Sequence, residues 1–168
     1  MIEIFYRPNP KENIVQNVQD PDFLTTVELD DVLWIDLFDP TGSEKRAVED
    51  VLHTTLQSRA QAEEIESSSR YSENDSSIFI NTNFLSPSPE NYTMESVSFI
   101  LTGKVLTSVR SVPLRSFTDI QRRIISGHKI YPTGFHILVG ILENRVDLEA
   151  YMIELMSKEI EQYGRRVS

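Results

Sequence analysis

Leu33-Trp34-Ile35-Asp36-Leu37-Phe38 is a mostly apolar run that stops at Asp39-Pro40 and leads straight into Thr41-Gly42-Ser43-Glu44. A run this short, rich in β-favouring residues and closed by a turn signal, reads as a buried strand. Thr41 and Glu44 have the spacing of a capping box, in which the threonine hydroxyl and the glutamate carboxylate each take a free amide at the helix start. Ala47, Val48, Val51, Leu52 and Leu56 then recur at helical spacing. A buried strand handing over to an amphipathic helix predicts a layered α/β domain.

Working outward, Ile2–Tyr6 alternates and predicts a first strand. A second strand is expected around Asn13–Val18 or Phe23–Val27, within a proline-marked acidic stretch. Ser58 with Gln61 is a second capping-box pattern and predicts a short helix through Ile65. Ser69–Glu73 and Ser77–Phe84 read as strands separated by the turn signal Asn74-Asp75, and Ser86–Asn91 reads as a loop. Met94–Leu101 and Val105–Arg110, joined by Thr102-Gly103-Lys104, form the clearest hairpin pattern. Pro113 opens a helix with the apolar face Phe117, Ile120, Ile124 and Ile125, and Gly127 is placed to stop it. Phe135–Tyr163 keeps helical spacing throughout, far beyond the ~11–12 residues of an average helix. The expected fold class is α/β: a three-layer α/β/α sandwich with a mixed sheet and a long C-terminal helix. The expected division is an α/β domain over 1–132, with the long helix over 133–168 beginning by packing on it.

Composition excludes several functions. The chain has 168 residues and no cysteine, which removes disulfides, thiolate metal sites and thiol nucleophiles. No apolar run approaches the ~18–20 residues of a membrane span, and the start does not have the pattern of a signal peptide. The formal net charge of −10 argues against nucleic-acid binding. That charge is uneven: residues 1–100 carry a net −13 and residues 101–168 a net +3. Such asymmetry suits cation attraction, pairing between subunits, or an ordinary uneven surface.

No phosphate-cradling glycine loop, nucleophile elbow or HExxH pattern occurs, and His53, His128 and His136 are far apart. No catalytic constellation is present, so an enzyme is not expected. Glu63, Glu64 and Glu66 form the one notable carboxylate group. Hard cations such as Mg2+ take oxygen ligands and need only one or two carboxylates, but a solvated acidic face has the same sequence. Asp36, inside an apolar strand, is expected to be hydrogen-bonded structurally, because an unpaired buried carboxylate is costly.

Three blocks in order carry a resemblance: Trp34-Ile35-Asp36-Leu37-Phe38-Asp39-Pro40, Glu64-Ile65-Glu66-Ser67-Ser68-Ser69-Arg70, and Leu106-Thr107-Ser108-Val109-Arg110. Over roughly residues 30–168 the chain resembles the N-terminal cytoplasmic domain of the CorA-type divalent-cation transporters, within the CorA/ZntB superfamily. The resemblance implies a homopentamer whose pore carries Mg2+, and often Co2+ or Ni2+. In that family a long stalk helix leads to two membrane helices, and a Gly-Met-Asn motif forms the pore mouth. It implies that the terminal helix is the start of the stalk, and that the chain is a regulatory domain at the cytoplasmic face of the inner membrane. It also implies weak Mg2+ binding at an intersubunit site containing Glu63 and Glu64, with Glu64 nearest the family's sensing acid and the partner acids beyond Ser168. A ZntB-like Zn2+ transporter domain is the alternative within the superfamily. A stand-alone metal-binding protein or metal-dependent enzyme using Glu63–Glu66, and an oligomeric scaffold built on the long helix, are the alternatives outside it. The chain on its own is expected to be monomeric or weakly associated.

Overall fold

The computed structural model describes residues 1–56, 71–73 and 76–167. Among these, seven strands form one sheet in the order β2-β1-β3-β7-β6-β5-β4. The strands are β1 (Ile2–Tyr6), β2 (Gln16–Val18), β3 (Val32–Phe38), β4 (Tyr71–Glu73), β5 (Ser77–Pro87), β6 (Tyr92–Thr102) and β7 (Val105–Arg110). The helices are α1 (Gly42–Leu52), α2 (Arg115–Ser126) and α3 (Gly134–Val167). Only the central β3–β7 pair is parallel among the described pairings. The sheet is therefore mixed, as expected.

Each face of the sheet carries its own core. One core gathers Ile2, Ile4, Ile35 and Leu37 from the strands with Val48 and Leu52 from α1. The other joins Trp34, Phe84, Phe99 and Leu106 to Phe117, Ile120 and Ile124 of α2 and to Ile137, Leu138 and Ile141 of α3. Strand side chains alternate between faces, which is why every residue from Val32 to Leu37 is buried. The alternation slips once. Phe5 pairs with Trp34 but Tyr6 pairs with Val32, so Leu33 is an extra residue in β3 and both Leu33 and Trp34 join the second core. There Trp34 stacks on Phe5 at 5.1 Å and meets Phe117 at 5.7 Å between ring centroids.

The local signals act as expected at most element ends. Gly103 takes φ 57° in the two-residue turn between β6 and β7, and Gly127 closes α2 at φ 74°. The capping box of α1 is complete: Glu44 N donates to Thr41 Oγ1, and Thr41 N donates to Glu44 Oε1 at 2.9 Å. The Glu44 carboxyl lies below its ordinary range. Burial pushes it up, but the Thr41 backbone amide and the terminal ammonium of Met1, 3.2 Å away, more than offset this. A depressed folded-state value means that the stabilisation is present above the ordinary glutamate range and is lost as pH falls through the depressed value. Thr41→Ala is expected to cost about 1 kcal/mol in a urea titration near neutral pH. Part of that cost should fade in acid, because the Thr41 hydroxyl also helps to hold the Glu44 carboxylate ionised.

Several boundaries differ from expectation. The second strand is Gln16–Val18, and the competing segment becomes a 3-10 turn at Pro21–Thr25, with Asp20 Oδ1 accepting from Asp22 N. Proline at its first position presets the turn. β5 and β6 run on to Pro87 and Tyr92, so the expected loop shrinks to a turn closed by Ser88 N donating to Asn91 O. α2 starts at Arg115 rather than Pro113. The expected helix from Ser58 to Ile65 lies outside the described residues.

α3 has 34 residues, about 51 Å at 1.5 Å per residue. Its first turns belong to the core, whereas Val146, Ile153, Ile160 and Tyr163 are exposed. No helix among the described residues is long and apolar enough to cross a membrane.

Candidate functional site

Parallel pairing of β3 with β7 sets Asp36 beside Ser108, and Phe38 beside Arg110. A closed polar network results. Trp34 Nε1 donates to Ser108 Oγ at 2.9 Å, and Ser108 Oγ donates to Asp36 Oδ1 at 2.8 Å. Arg110 Nη2 donates to Asp36 Oδ2 at 2.8 Å, its Nε is shared between both carboxylate oxygens, and Gln121 Nε2 reaches Oδ2 from α2. Arg110 Nη1 donates to Val112 O, and the guanidinium lies over the rings of Phe38 and Phe117 at 4.6 and 4.7 Å. The side chains of Arg110 and Asp36 are 8% and 1% exposed. Every strong acceptor direction of the carboxylate is filled, so it offers nothing to a substrate or metal. The network fastens β3, β7 and α2 together, in keeping with the structural part expected of Asp36.

Glu63 and Glu64, the expected cation ligands, lie outside the described residues, as do Glu66 and Arg70. Leu56, buried, and Tyr71, paired with Ile80, are the nearest described residues on either side. Among the described residues no group of three or more His, Asp or Glu side chains converges as a metal site. The three histidines stay apart: His53 caps α1 in the left-handed region, His136 shares a hydrogen bond with Thr133, and His128 is exposed.

A concavity of about 690 Å3 lies between the end of β5, the start of α2 and the middle of α3. Phe84 forms its floor, Leu148, Met152 and Leu155 one wall, and Ser116 and Arg122 the other. Sequence reasoning did not find it, because three separate elements build it. The one local signal is that α2 begins after Pro113-Leu114 without a Ser, Thr, Asp or Asn at the cap position.

The same architecture occurs in solved transport proteins. It superposes on the complete CorA magnesium transporter from Methanocaldococcus jannaschii with a TM-score of 0.71 at 14% identity, covering 98% of this chain and 50% of that one. The ZntB cytoplasmic domain from Vibrio parahaemolyticus gives 0.57 at 18% identity, covering 95% of this chain and 64% of that one. At these identities the likeness defines a fold class, the α/β/α domain shared by CorA and ZntB proteins.

Sequence goes further. Residues 30–168 match the family described as CorA-like Mg2+ transporter protein. The magnesium transport protein CorA of Wolinella succinogenes is 32% identical over 164 residues, 95% of this chain and 50% of that protein. The chain belongs to the CorA-like Mg2+ transporter family, and it spans about half the length of the curated relatives it matches.

Proposed function

We propose that this chain is the cation-sensing regulatory domain of a CorA-type Mg2+ or Co2+ transporter, working at the cytoplasmic face of the membrane within a homopentamer. Membership of the family is the observation that carries the reading. The net −13 over residues 1–100, against net +3 over the remainder, supports it. Its role is binding rather than catalysis.

Glu63 and Glu64 are the proposed protein ligands. Carboxylate oxygens suit Mg2+, which keeps most of its waters and takes one or two such groups. A Mg2+ ion between subunits offsets the repulsion of facing carboxylates and favours the closed arrangement. When the ion leaves, that repulsion returns and the open arrangement gains population. Only a difference in affinity between the two arrangements can drive this shift. Co2+ and Ni2+ would compete at the same oxygens.

A Zn2+ transporter of the ZntB kind is the second reading, favoured by the shared fold. Titrating the chain calorimetrically with Mg2+ and with Zn2+ separates the two. Weak saturable Mg2+ binding is expected, in the millimolar range, and Glu64→Ala should weaken it at least about fivefold. Unchanged Mg2+ binding in that variant removes Glu64 from the site, and Zn2+ binding far tighter than Mg2+ favours the second reading.

A further inference from the structure

We propose that the groove between α2 and α3 binds a small organic anion, with its charged head at the start of α2 and its apolar body against α3. This goes beyond the cation-sensing reading and does not depend on it. The groove's volume of about 690 Å3 falls in the range of ordinary ligand sites.

The head position is built from three things. First, α2 is a 12-residue helix whose cap residue is Leu114, with no side-chain cap. Among the described residues nothing accepts from the first-turn N–H groups of Arg115 and Ser116. Free N–H groups at a positive helix end attract an oxyanion.

Second, Ser116 is 3% exposed and lines the groove, yet among the described residues its hydroxyl has no hydrogen-bond partner. Buried hydroxyls are ordinarily satisfied, so one left open at an uncapped helix start points to an acceptor supplied from outside.

Third, the cations outweigh the acids. Arg122 is exposed and has no ion pair among the described residues, and Arg115 has only a 3.8 Å contact with Asp119. The remaining charges on the rim cancel. Arg145 pairs with Glu149 at 3.2 Å, and the same carboxylate oxygen accepts from Leu85 N. In a chain of net charge −10 this is a local positive spot.

The body position follows from the opposite wall. Leu148, Met152 and Leu155 line it over the Phe84 ring, and Leu155 is 37% exposed. Inorganic phosphate would leave this wall in water, whereas an aryl phosphate or a medium-chain carboxylate would cover it.

The test is calorimetric titration of the chain with phenyl phosphate and with inorganic phosphate. Phenyl phosphate should bind saturably, one to one, and inorganic phosphate about tenfold more weakly or worse. Arg122→Gln and Ser116→Ala should each weaken phenyl phosphate at least about threefold, and Met152→Glu should abolish its binding. Arg122 is exposed and Met152 half-buried, and an unchanged circular dichroism melt verifies that these variants fold. Absence of saturable phenyl phosphate binding overturns the proposal. So does equal affinity for the two phosphates, or binding unaltered in all three folded variants.

Discussion

Asp36→Ala should destabilise the chain by about 3–5 kcal/mol, the usual consequence of removing one partner from a buried ion pair. Arg110 would keep its bond to Val112 O and its seat over Phe38 and Phe117, but lose Asp36. Gln121 and Ser108 would also lose their acceptor. The cost therefore comes from stranding a guanidinium and two further donors more than from the pair's own attraction. Since domains are stable by only about 5–15 kcal/mol, chemical denaturation should show a large drop in midpoint. The paired variant Asp36→Ala with Arg110→Met should recover much of the loss, because it removes both charges together. A single-variant loss under about 1 kcal/mol would mean that water reaches Arg110 and that the network is not closed.

This network also marks how far the sequence could be read. The apolar setting of Asp36 was enough to expect a structural carboxylate, but its partners lie more than seventy residues away on β7 and α2. Register, which tertiary pairing sets, decides that Ser108 and Arg110 are those partners. Signals contained within a few residues were the legible ones: the Thr41–Glu44 box, the Gly103 turn, the Gly127 stop and the period of α3. The extra residue at Leu33 was not visible, because a bulge is defined against the opposite strand and Leu33-Trp34 looks like any apolar pair. The groove was hidden for the same reason, since Ser116 matters only once α3 faces it. The family could be read from short blocks, two of which now have a physical reason: Trp34–Asp36 and Ser108–Arg110 are the two halves of one buried network. The third block, Glu64 to Arg70, lies outside the described residues, so its part in cation binding rests on the resemblance and on carboxylate chemistry.

Gly134→Ala should be comparably damaging, at about 3 kcal/mol or more, the upper end of core overpacking. A Cβ at this position would collide with Leu106 N and stand 2.8 Å from both Leu33 O and Lys104 O. All three are backbone atoms, of β7, β3 and the turn between β6 and β7, so no side-chain rotation relieves the contact. Gly134 N also donates to Lys104 O at 2.7 Å, which holds the first residue of α3 against the sheet. A methyl group must push the helix start outward and loosen Ile137, Leu138 and Ile141 from the core. The other glycines of the same helix supply the scale. At Gly140 the nearest atom is Tyr131 Cε1 at 2.9 Å, in a buried aromatic ring rather than the backbone, so alanine should destabilise there but less than at Gly134. At Gly164 nothing lies within 4 Å, and alanine should stabilise by about 0.5–1 kcal/mol through helix propensity alone. Thermal melts of the three variants should therefore rank Gly164→Ala above the parent chain, Gly140→Ala below it, and Gly134→Ala far below. A Gly134→Ala melt close to the parent's would mean that α3 does not begin pressed against Leu33 and Leu106, and that its first turns are not fixed to the sheet.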